Sequence, residues 1–132
     1  MNEFDLQIVT PDGLMFEGKA QKIIVRTTEG DVGILAKHTD YVAALSIGVA
    51  RIFTSEGERK GACAGGMLSV TDGVARIAAS TFEWSEDIDV DRAKKAKEKA
   101  EKRLAQSKQS EYEYRLAEIK LKKSLARLNA SK

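Results

Sequence analysis

The sequence predicts an α+β protein in two parts: an N-terminal flattened β-sandwich or barrel, followed by an antiparallel two-helix hairpin. Apolar and polar residues alternate with period two in the first part, as in half-buried strands. All ten glycines lie at or before Gly73. From Asp89 onward the strong helix formers Ala, Lys, Arg, Glu, Leu and Gln dominate. We therefore predict a β domain over residues 1–86 and a helical domain over residues 87–132.

Turn signals divide the β part into short strands. Pro11-Asp12-Gly13 is such a signal, because proline presets φ and glycine accepts a positive φ. Asp72-Gly73 is typical of a two-residue hairpin turn. Many short strands with close turns are typical of a sandwich or barrel. The predicted strands are 4–8, 14–18, 22–28, 32–35, 43–55 (as two pieces around Gly48), 59–64, 67–71 and 74–81.

Two helices are predicted in the last third of the chain, over about 90–106 and about 111–128. Asp87 and Asp89 both suit the N-cap of the first helix. The polar link over residues 107–110 is short, which favours an antiparallel hairpin.

The apolar stripes of these helices offer little apolar area for burial. The predicted stripe residues are Ala93, Ala96, Ala100 and Leu104 on the first helix, and Tyr114, Ala117, Leu121, Leu125 and Leu128 on the second, with Leu116 and Ile119 widening the face. Alanine methyl groups bury little area, so the first stripe contributes only a few kcal/mol. Ordering roughly 40 residues costs far more. The hairpin is therefore expected to need the β domain, a ligand or a partner.

Charge is divided unevenly along the chain. Residues 1–88 carry eight basic and thirteen acidic side chains, whereas residues 89–132 carry fourteen and seven. The basic helices admit three interpretations: a solvated face, a nucleic-acid surface, or a dock for an acidic protein surface or a polyphosphate. Interleaved aromatic residues, which nucleic-acid binding favours, are limited to Tyr112 and Tyr114.

The sequence offers no catalytic set. It has one histidine, His38, and one cysteine, Cys63, and it lacks a Gly-x-Ser-x-Gly sequence, a Walker loop and a metal-ligand cluster. We therefore predict a non-catalytic protein without a metal, in which His38 is a surface or interface imidazole. No apolar run of about 18 residues is present, so no membrane-spanning segment is expected.

Several ordered motifs resemble the epsilon subunit of bacterial F-type ATP synthases. They are Val9-Thr10-Pro11-Asp12-Gly13, then Glu29-Gly30-Asp31-Val32-Gly33-Ile34-Leu35 with His38 soon after, and Gly65-Gly66-Met67-Leu68-Ser69-Val70. The order of a β part followed by two helices matches as well. The family usually has Pro-Gly before the histidine and a proline two residues after it, where this chain has Ala36-Lys37 and Asp40.

The resemblance implies a role in a rotary complex. In the family, the sandwich sits on the central stalk and touches the gamma subunit and the membrane rotor ring. By position, Asp31 resembles a residue that faces the rotor ring, and His38 one that faces gamma. The helical tail of the family switches between a compact hairpin and an extended form that contacts the catalytic beta subunits and obstructs ATP hydrolysis. The implied location is the cytoplasmic face of the bacterial cell membrane, with membrane association only through the complex.

A second motif resembles the one with which some epsilon subunits bind ATP. It runs from Ile88 to Lys99 as Ile-Asp-Val-Asp-Arg-Ala-Lys-Lys-Ala-Lys-Glu-Lys, with Lys99 in place of the usual arginine. By resemblance, the adenine end is held near Glu83, Ile88, Asp89, Arg92 and Ala93, and the phosphates by Lys99, Lys123 and Arg127. Lys123 also replaces an arginine. ATP would be a regulatory ligand and no substrate.

Other interpretations stay open at this point. Asp89 suits an N-cap, and Arg92 suits an exposed residue of the first helical turn. The chain as a whole could be a free-standing nucleotide-sensing module outside any synthase, or a nucleic-acid-binding adaptor. Our leading hypothesis is a non-catalytic regulator of a rotary ATP synthase that does not bind nucleic acid.

Overall fold

The computed structural model describes residues 2–107 and 110–132. The turn glycines and helix caps seen in the sequence divide it into seven strands and two long helices. The strands are β1 (Phe4–Thr10), β2 (Gly13–Ala20), β3 (Lys22–Thr27), β4 (Gly30–Leu35), β5 (Tyr41–Thr54), β6 (Gly57–Thr71) and β7 (Val74–Trp84). A short 3₁₀ turn, Ser85–Asp87, leads to helices α1 (Val90–Gln106) and α2 (Glu111–Ala130). The predicted fold class is confirmed.

The strands form one folded sheet in the order β2-β1-β7-β6-β5-β3-β4. The β1–β7 pair is parallel and the other pairs are antiparallel. Because successive side chains of a strand point to opposite faces, the alternating apolar residues point into a core between the two layers of the folded sheet. The largest fully buried side chains are Leu6, Ile8, Ile23, Val25, Ile34, Ile52, Leu68 and Ile77.

Two predicted strand breaks are wrong. Residues 43–54 lie within one strand, β5, and residues 59–71 lie within one strand, β6. The Gly65-Gly66 pair bends β6 without ending it: Cys63 faces the core before the pair, and Leu68 faces it after. Gly66 has φ +116°, and a Cβ there would lie 2.1 Å from the Ala78 carbonyl oxygen. Glycine is therefore needed where β6 passes close to β7.

Both helices begin at side-chain caps. The Asp89 carboxylate accepts a hydrogen bond from the backbone N–H of Arg92 at 3.1 Å, and the Ser110 hydroxyl accepts one from Glu113 at 3.3 Å. The predicted helix bounds therefore agree with the structure to within two residues. Lys108 and Gln109, in the predicted link, lie outside the described residues.

Two of the four predicted stripe residues of α1 are buried and the other two are half-buried, whereas the predicted stripe of α2 is partly wrong. Ala93 and Ala100 are buried on α1. On α2, Tyr114, Leu116, Ile119 and Leu125 are exposed, whereas Ala117, Ser124, Ala126 and Ala130 are buried. The reason is that α2 packs against both α1 and strands β5 and β6, so small residues on two of its sides permit close approach.

The surface under α2 consists of two rows across the sheet. Strand register aligns Ile47, Ala64 and Thr81 in one row. The next row contains Val49, Ala62 and Glu83. Ala130 of α2 packs with Ala62, Val49 and Ile88 in a small apolar cluster. This contact places the end of α2 directly beside the residues that join the two domains.

Candidate ligand site between the helical hairpin and the sheet

The start of α1 carries three residues that the sequence places in a ligand site. Asp89 caps the helix, and its backbone carbonyl also accepts from the Ala93 N–H at 3.0 Å. Ala93 is fully buried, whereas Asp89 and Arg92 are exposed. The N-cap interpretation of Asp89 is therefore confirmed, and its ligand role stays a prediction.

Ile88 lies in the apolar cluster with Ala62 and Ala130 and is 8% exposed. Its side chain ties the segment between the domains to the sheet and to the end of α2. A hydrophobic side chain of this size contributes about 1.5–3 kcal/mol when fully buried. Ile88 therefore stabilises the docked form of the hairpin.

An ion pair joins the sheet to α2. The Arg127 guanidinium donates through Nε to Glu83 Oε1 at 2.8 Å and through Nη2 to Oε2 at 3.4 Å. The two side chains are 27% and 34% exposed, so water screens them only in part. Among the described residues, this is the one side-chain ion pair between the sandwich and the hairpin. It holds two predicted site residues together.

A cavity of about 370 Å³ lies between the sheet and α2, and we call it the sheet-side cavity. Its floor is mainly small or apolar and comes from β5, β6 and β7, while Lys123, Ala126 and Arg127 close it from above. Glu83 and Thr81 supply the polar groups of the floor. Burial raises the pKa of the thiol of Cys63, a core residue that adjoins this cavity, to about 11. That thiol is therefore neutral at pH 7 and a poor nucleophile.

A second cavity of about 330 Å³ lies between α1 and α2, and we call it the interhelix cavity. Lys99 and Arg103 reach it from α1. Lys120, Lys123 and Arg127 reach it from α2. Its described lining contains no carboxylate. Lys123 and Arg127 line both cavities, so the apolar space and the basic space adjoin.

The structure brings four of the eight predicted ligand residues to these cavities. Glu83, Lys99, Lys123 and Arg127 line one or both of them. Asp89, Arg92, Ala93 and Ile88 line neither. Arg103 and Lys120 are two cavity residues that the motif did not include. One sequence feature could have identified Arg103 as a cavity residue: it lies four residues after Lys99, on the same face of the helix.

The two predicted partner residues lie elsewhere on the sandwich. Asp31 is on the edge strand β4 and accepts from Arg26 Nη1 at 3.3 Å. His38 follows β4; its Nδ1 lies 2.7 Å from the Thr39 carbonyl oxygen, and its ring contacts Tyr41 edge-on at 5.7 Å. Asp31 is exposed and His38 is half-buried. Their partner roles stay predictions.

An exposed apolar row crosses five strands on the outer face of the sheet. Strand register aligns Leu14, Val9, Ala78, Met67 and Ala44. Leu14 is 55% exposed and Met67 is 45% exposed. Sequence reasoning missed this row because its members come from five separate strands. Contiguous apolar surface of this kind is typical of protein interfaces.

Across residues 2–107 and 110–132, no group of three or more His, Cys, Asp or Glu side chains is arranged to hold a metal ion. Within the same residues, neither helix is apolar enough over a sufficient length to cross a membrane.

Comparison with known proteins agrees with this architecture. Residues 3–85 match the family model for the beta-sandwich domain of the ATP synthase delta/epsilon chain, and residues 86–132 match that for its long alpha-helix domain. The ATP synthase epsilon chain of an Exiguobacterium species is 42% identical over 98% of this chain and 96% of its own length. The epsilon chain of Halalkalibacterium halodurans is 38% identical over 99% and 98%.

Two solved ATP synthase structures contain chains of similar fold. A chain in the Euglena gracilis mitochondrial ATP synthase, determined with F1 and the c-ring, has a TM-score of 0.84 and 26% identity, covering 98% of this chain and 81% of its own length. A chain from the central stalk and c-ring of the Tetrahymena thermophila enzyme has a TM-score of 0.62 at 15% identity, which supports the fold. The chain belongs to the family of ATP synthase delta/epsilon chains.

Proposed function

We propose that this protein is a non-catalytic rotor subunit of an F-type ATP synthase, located on the central stalk at the cytoplasmic face of the membrane. Its association with the membrane is indirect, through the complex. The observation that carries this proposal is the match of both domains to the delta/epsilon family, together with epsilon-chain relatives matched over nearly their whole length. We retain the division into domains 1–86 and 87–132 as part of the proposal.

The sandwich is proposed to dock on the gamma subunit and the rotor ring. The exposed apolar row supports a protein partner because apolar area on both sides of an interface is removed from water on docking. Asp31 is assigned to the rotor-ring contact and His38 to the gamma contact, both by their positions in the family motif. Both side chains lie at or after the edge strand β4, outside the core.

The helical hairpin is proposed to be the mobile regulator that obstructs ATP hydrolysis through the catalytic beta subunits. Its docked form is supported mainly by small buried side chains and the Glu83–Arg127 pair, so undocking costs little. Its excess of basic residues suits an acidic surface on a partner.

Deleting residues 89–132 tests the inhibitory role. The truncated subunit, assembled into the synthase, is expected to raise ATP hydrolysis because the obstructing segment is gone. The matched control retains the helices and carries Lys94→Gln, an exposed α1 residue that lines neither cavity. Equal hydrolysis by the truncated, control and parent enzymes would remove the inhibitory claim.

The docked hairpin is also proposed to bind ATP as a regulatory ligand. Support comes from the adjoining cavities, one apolar with Glu83 at its edge and one lined by five cations. ATP would stabilise the hairpin by mass action, since it binds only the closed arrangement. Lys99 and Lys123 keep the positive charge of the usual arginines and lack their planar fork, so we expect weaker phosphate binding.

Calorimetric titration of the full chain with ATP tests whether the protein binds this ligand. Binding heat is expected in the parent and is expected to vanish in Asp89→Ala with Arg92→Ala. Asp89→Ser separates the two roles of Asp89 because serine caps a helix as well as aspartate does. If Asp89→Ser retains both helix content and ATP affinity, Asp89 is a cap alone, and if the parent shows no heat, the ATP claim fails.

A further inference from the structure

A third cavity, of about 500 Å³, lies between α2 and strands β3, β4 and β5, and we call it the β3–β5 cavity. It shares no lining residue with the interhelix cavity, and none of the eight predicted ATP residues lines it. Ile47 and Ala126 line both this cavity and the sheet-side cavity, so these two spaces adjoin under α2. The β3–β5 cavity is therefore a separate space, which the sequence motifs did not predict.

A gap between β3 and β5 makes room for this cavity. Strand register shifts between Ile24 and Thr27 of β3, where five residues of β5 lie opposite two of β3. The strand with the extra residues bends locally, as at a β-bulge. A Cβ on Gly48 would lie only 2.6 Å from the Cβ of Arg26 across the gap. Gly48 therefore leaves room for the Arg26 side chain, and both residues line the cavity.

The lining combines apolar side chains with cations. The apolar residues are Ile24, Ile47, Val49, Leu125 and Ala126, and the cations are Arg26, Arg51 and Lys122. The cationic side chains are 44–59% exposed, so they lie at the mouth of the cavity. Asp31 is the one carboxylate among the described lining residues, and Arg26 Nη1 donates to it at 3.3 Å. Net positive charge beside apolar surface suits an anion that has an apolar body.

Both arginines keep hydrogen-bond donors that no described carboxylate uses. Arg26 donates through Nη1 in the pair above, and Arg51 donates through Nε to Glu58 at 2.6 Å. A guanidinium has five N–H donors in a planar fork that matches a carboxylate. Lys122 lies 3.6 Å from Glu118 in an exposed pair, which water screens. A carboxylate at the mouth of the cavity therefore finds donors without breaking either arginine pair.

We propose that the β3–β5 cavity binds a medium-chain carboxylate, an amphiphile of the fatty-acid class. The carboxylate head lies among the three cations at the mouth, and the aliphatic tail lies on the apolar residues under α2. The volume of the cavity falls within the roughly 300–1,000 Å³ of small-ligand sites. The ligand touches the sandwich and α2 together, so its binding stabilises the docked hairpin by mass action. Binding is independent of the ATP proposal, and only its regulatory consequence rests on the proposed mobility of the hairpin.

The test is calorimetric titration of the full chain with sodium decanoate, below the concentration at which micelles form. One-to-one binding is expected, together with slower hydrogen exchange of the α2 amides. Burial of each methylene strengthens binding by about threefold to fourfold, so decanoate is expected to bind about tenfold more tightly than octanoate. Butyrate has the same head with little tail, and decylammonium has the same tail with the opposite charge. Both are expected to bind at least about tenfold more weakly than decanoate.

Two pairs of charge variants test the head of the ligand. Arg51→Gln with Lys122→Gln removes two cations at the mouth and is expected to weaken decanoate binding by about tenfold or more, through the loss of charge-assisted hydrogen bonds. The control, Arg115→Gln with Lys94→Gln, removes the same charges from exposed positions that line none of the three cavities. It is expected to change the affinity by less than about twofold.

Two further variants test the tail of the ligand. Leu125→Gln removes apolar surface from the cavity and keeps a residue that favours helix, so the difference in affinity between decanoate and octanoate is expected to shrink. Leu116→Gln replaces another partly exposed leucine of α2, one that lines none of the three cavities, and is expected to leave this difference unchanged. Arg51→Lys with Lys122→Arg retains the charge and is expected to retain binding, which separates a ligand role from a folding defect.

Absence of decanoate binding, or equal affinity for decanoate and octanoate, would overturn this inference. Equal weakening by the two glutamine pairs would also overturn it, because the attraction would then be general. Binding without protection of the α2 amides contradicts it too, since the site is built from both domains. ATP binding is measured separately, so either proposal can fail while the other stands. If the Arg51–Lys122 glutamine variant loses helix content, the charge-retaining variant decides: loss of decanoate binding there, with the helices intact, contradicts the inference.

Discussion

The β-sandwich and the helical hairpin bury different kinds of side chain. The sandwich encloses whole Ile, Leu and Val side chains, such as Ile8, Ile52 and Leu68. The hairpin buries mainly Ala and Ser, such as Ala93 and Ser124. Full burial of an isoleucine or leucine contributes about 1.5–3 kcal/mol, whereas an alanine methyl contributes about 0.8 kcal/mol. The sandwich therefore has a core that is sufficient by itself, whereas the hairpin is stable only where it is docked on the sandwich.

This difference in burial suits the two proposed roles, a sandwich that docks on the stalk and a hairpin that moves. A regulator that moves must be held by interactions that can be exchanged for others of similar strength. The docked hairpin is held mainly by small side chains and one ion pair, which can be exchanged in this way. A sandwich with a continuous apolar core keeps its shape while the hairpin changes position.

The largest expected effect comes from opening a cavity in the sandwich. Ile77 is fully buried in the core, and Ile77→Ala is expected to lower the free energy of unfolding by about 2–5 kcal/mol. Urea denaturation followed by fluorescence of the single tryptophan, Trp84, measures it, since Trp84 packs on Phe82 and Phe16 within the sandwich. Ile119→Ala, on the exposed face of α2, is the control. A comparable loss in the control would contradict the contrast between the regions.

Breaking the Glu83–Arg127 pair is expected to loosen only the hairpin. Glu83→Gln removes the charge of a partly buried, two-pronged ion pair and should weaken docking of α2 by about 1 kcal/mol. Hydrogen exchange is expected to accelerate in α2 and stay constant in β6 and β7. Glu111→Gln breaks an exposed pair with Arg115 and should change little. Faster exchange in the strands would show that the two regions unfold together.

A smaller gain is expected from relieving strain at Lys37. This residue has φ +63°, at the position where the family usually has glycine. A left-handed backbone disfavours an L-residue with a Cβ, so Lys37→Gly is expected to stabilise the sandwich by about 0.5–1 kcal/mol. Asp72→Gly, at φ +50°, is expected to gain less because aspartate tolerates this conformation better. A lower urea midpoint for Lys37→Gly than for the parent would contradict the claim that the backbone is strained at this position.

The smallest expected effect is on the pH dependence of the free energy of unfolding, at the junction of the two regions. The hydrogen bond from Arg59, at 2.7 Å, lowers the pKa of Glu86 below its usual value. Because the folded pKa is the lower one, this stabilisation is present above the unfolded pKa of about 4.3 and is lost as the pH falls through the folded pKa. Denaturation at about pH 5 and about pH 3 should show a shallower pH dependence in Glu86→Gln than in the parent. Glu101→Gln, on the exposed face of α1, is the control. An identical pH dependence in Glu86→Gln and the parent would exclude this contribution.

Much of the fold follows from short stretches of sequence. The turns at Gly13 and Gly73 and the capped start of α1 at Asp89 each depend on residues within four positions of one another. The charge reversal near residue 88 and the ordered family motifs are likewise properties of the chain itself. These local preferences were therefore predictable without knowledge of distant contacts.

The site depended on contacts between distant segments. The sequence motif predicted Lys99, Lys123 and Arg127, but which other cations join them depends on how α1 and α2 pack, so Arg103 and Lys120 were missed. The same packing placed Leu116 and Ile119 in solvent, because two neighbours on different sides of α2 admit only its small residues.

The sequence by itself therefore determined the two-part architecture, the helix bounds and the basic character of the hairpin, since propensity, capping and charge act over a few residues. The tertiary structure alone decided that β5 and β6 run unbroken, that Glu83 pairs with Arg127, and that five cations share one cavity. Side chains 17 to 44 positions apart meet in that pair and cavity, and only close packing of the helices and the sheet brings them together.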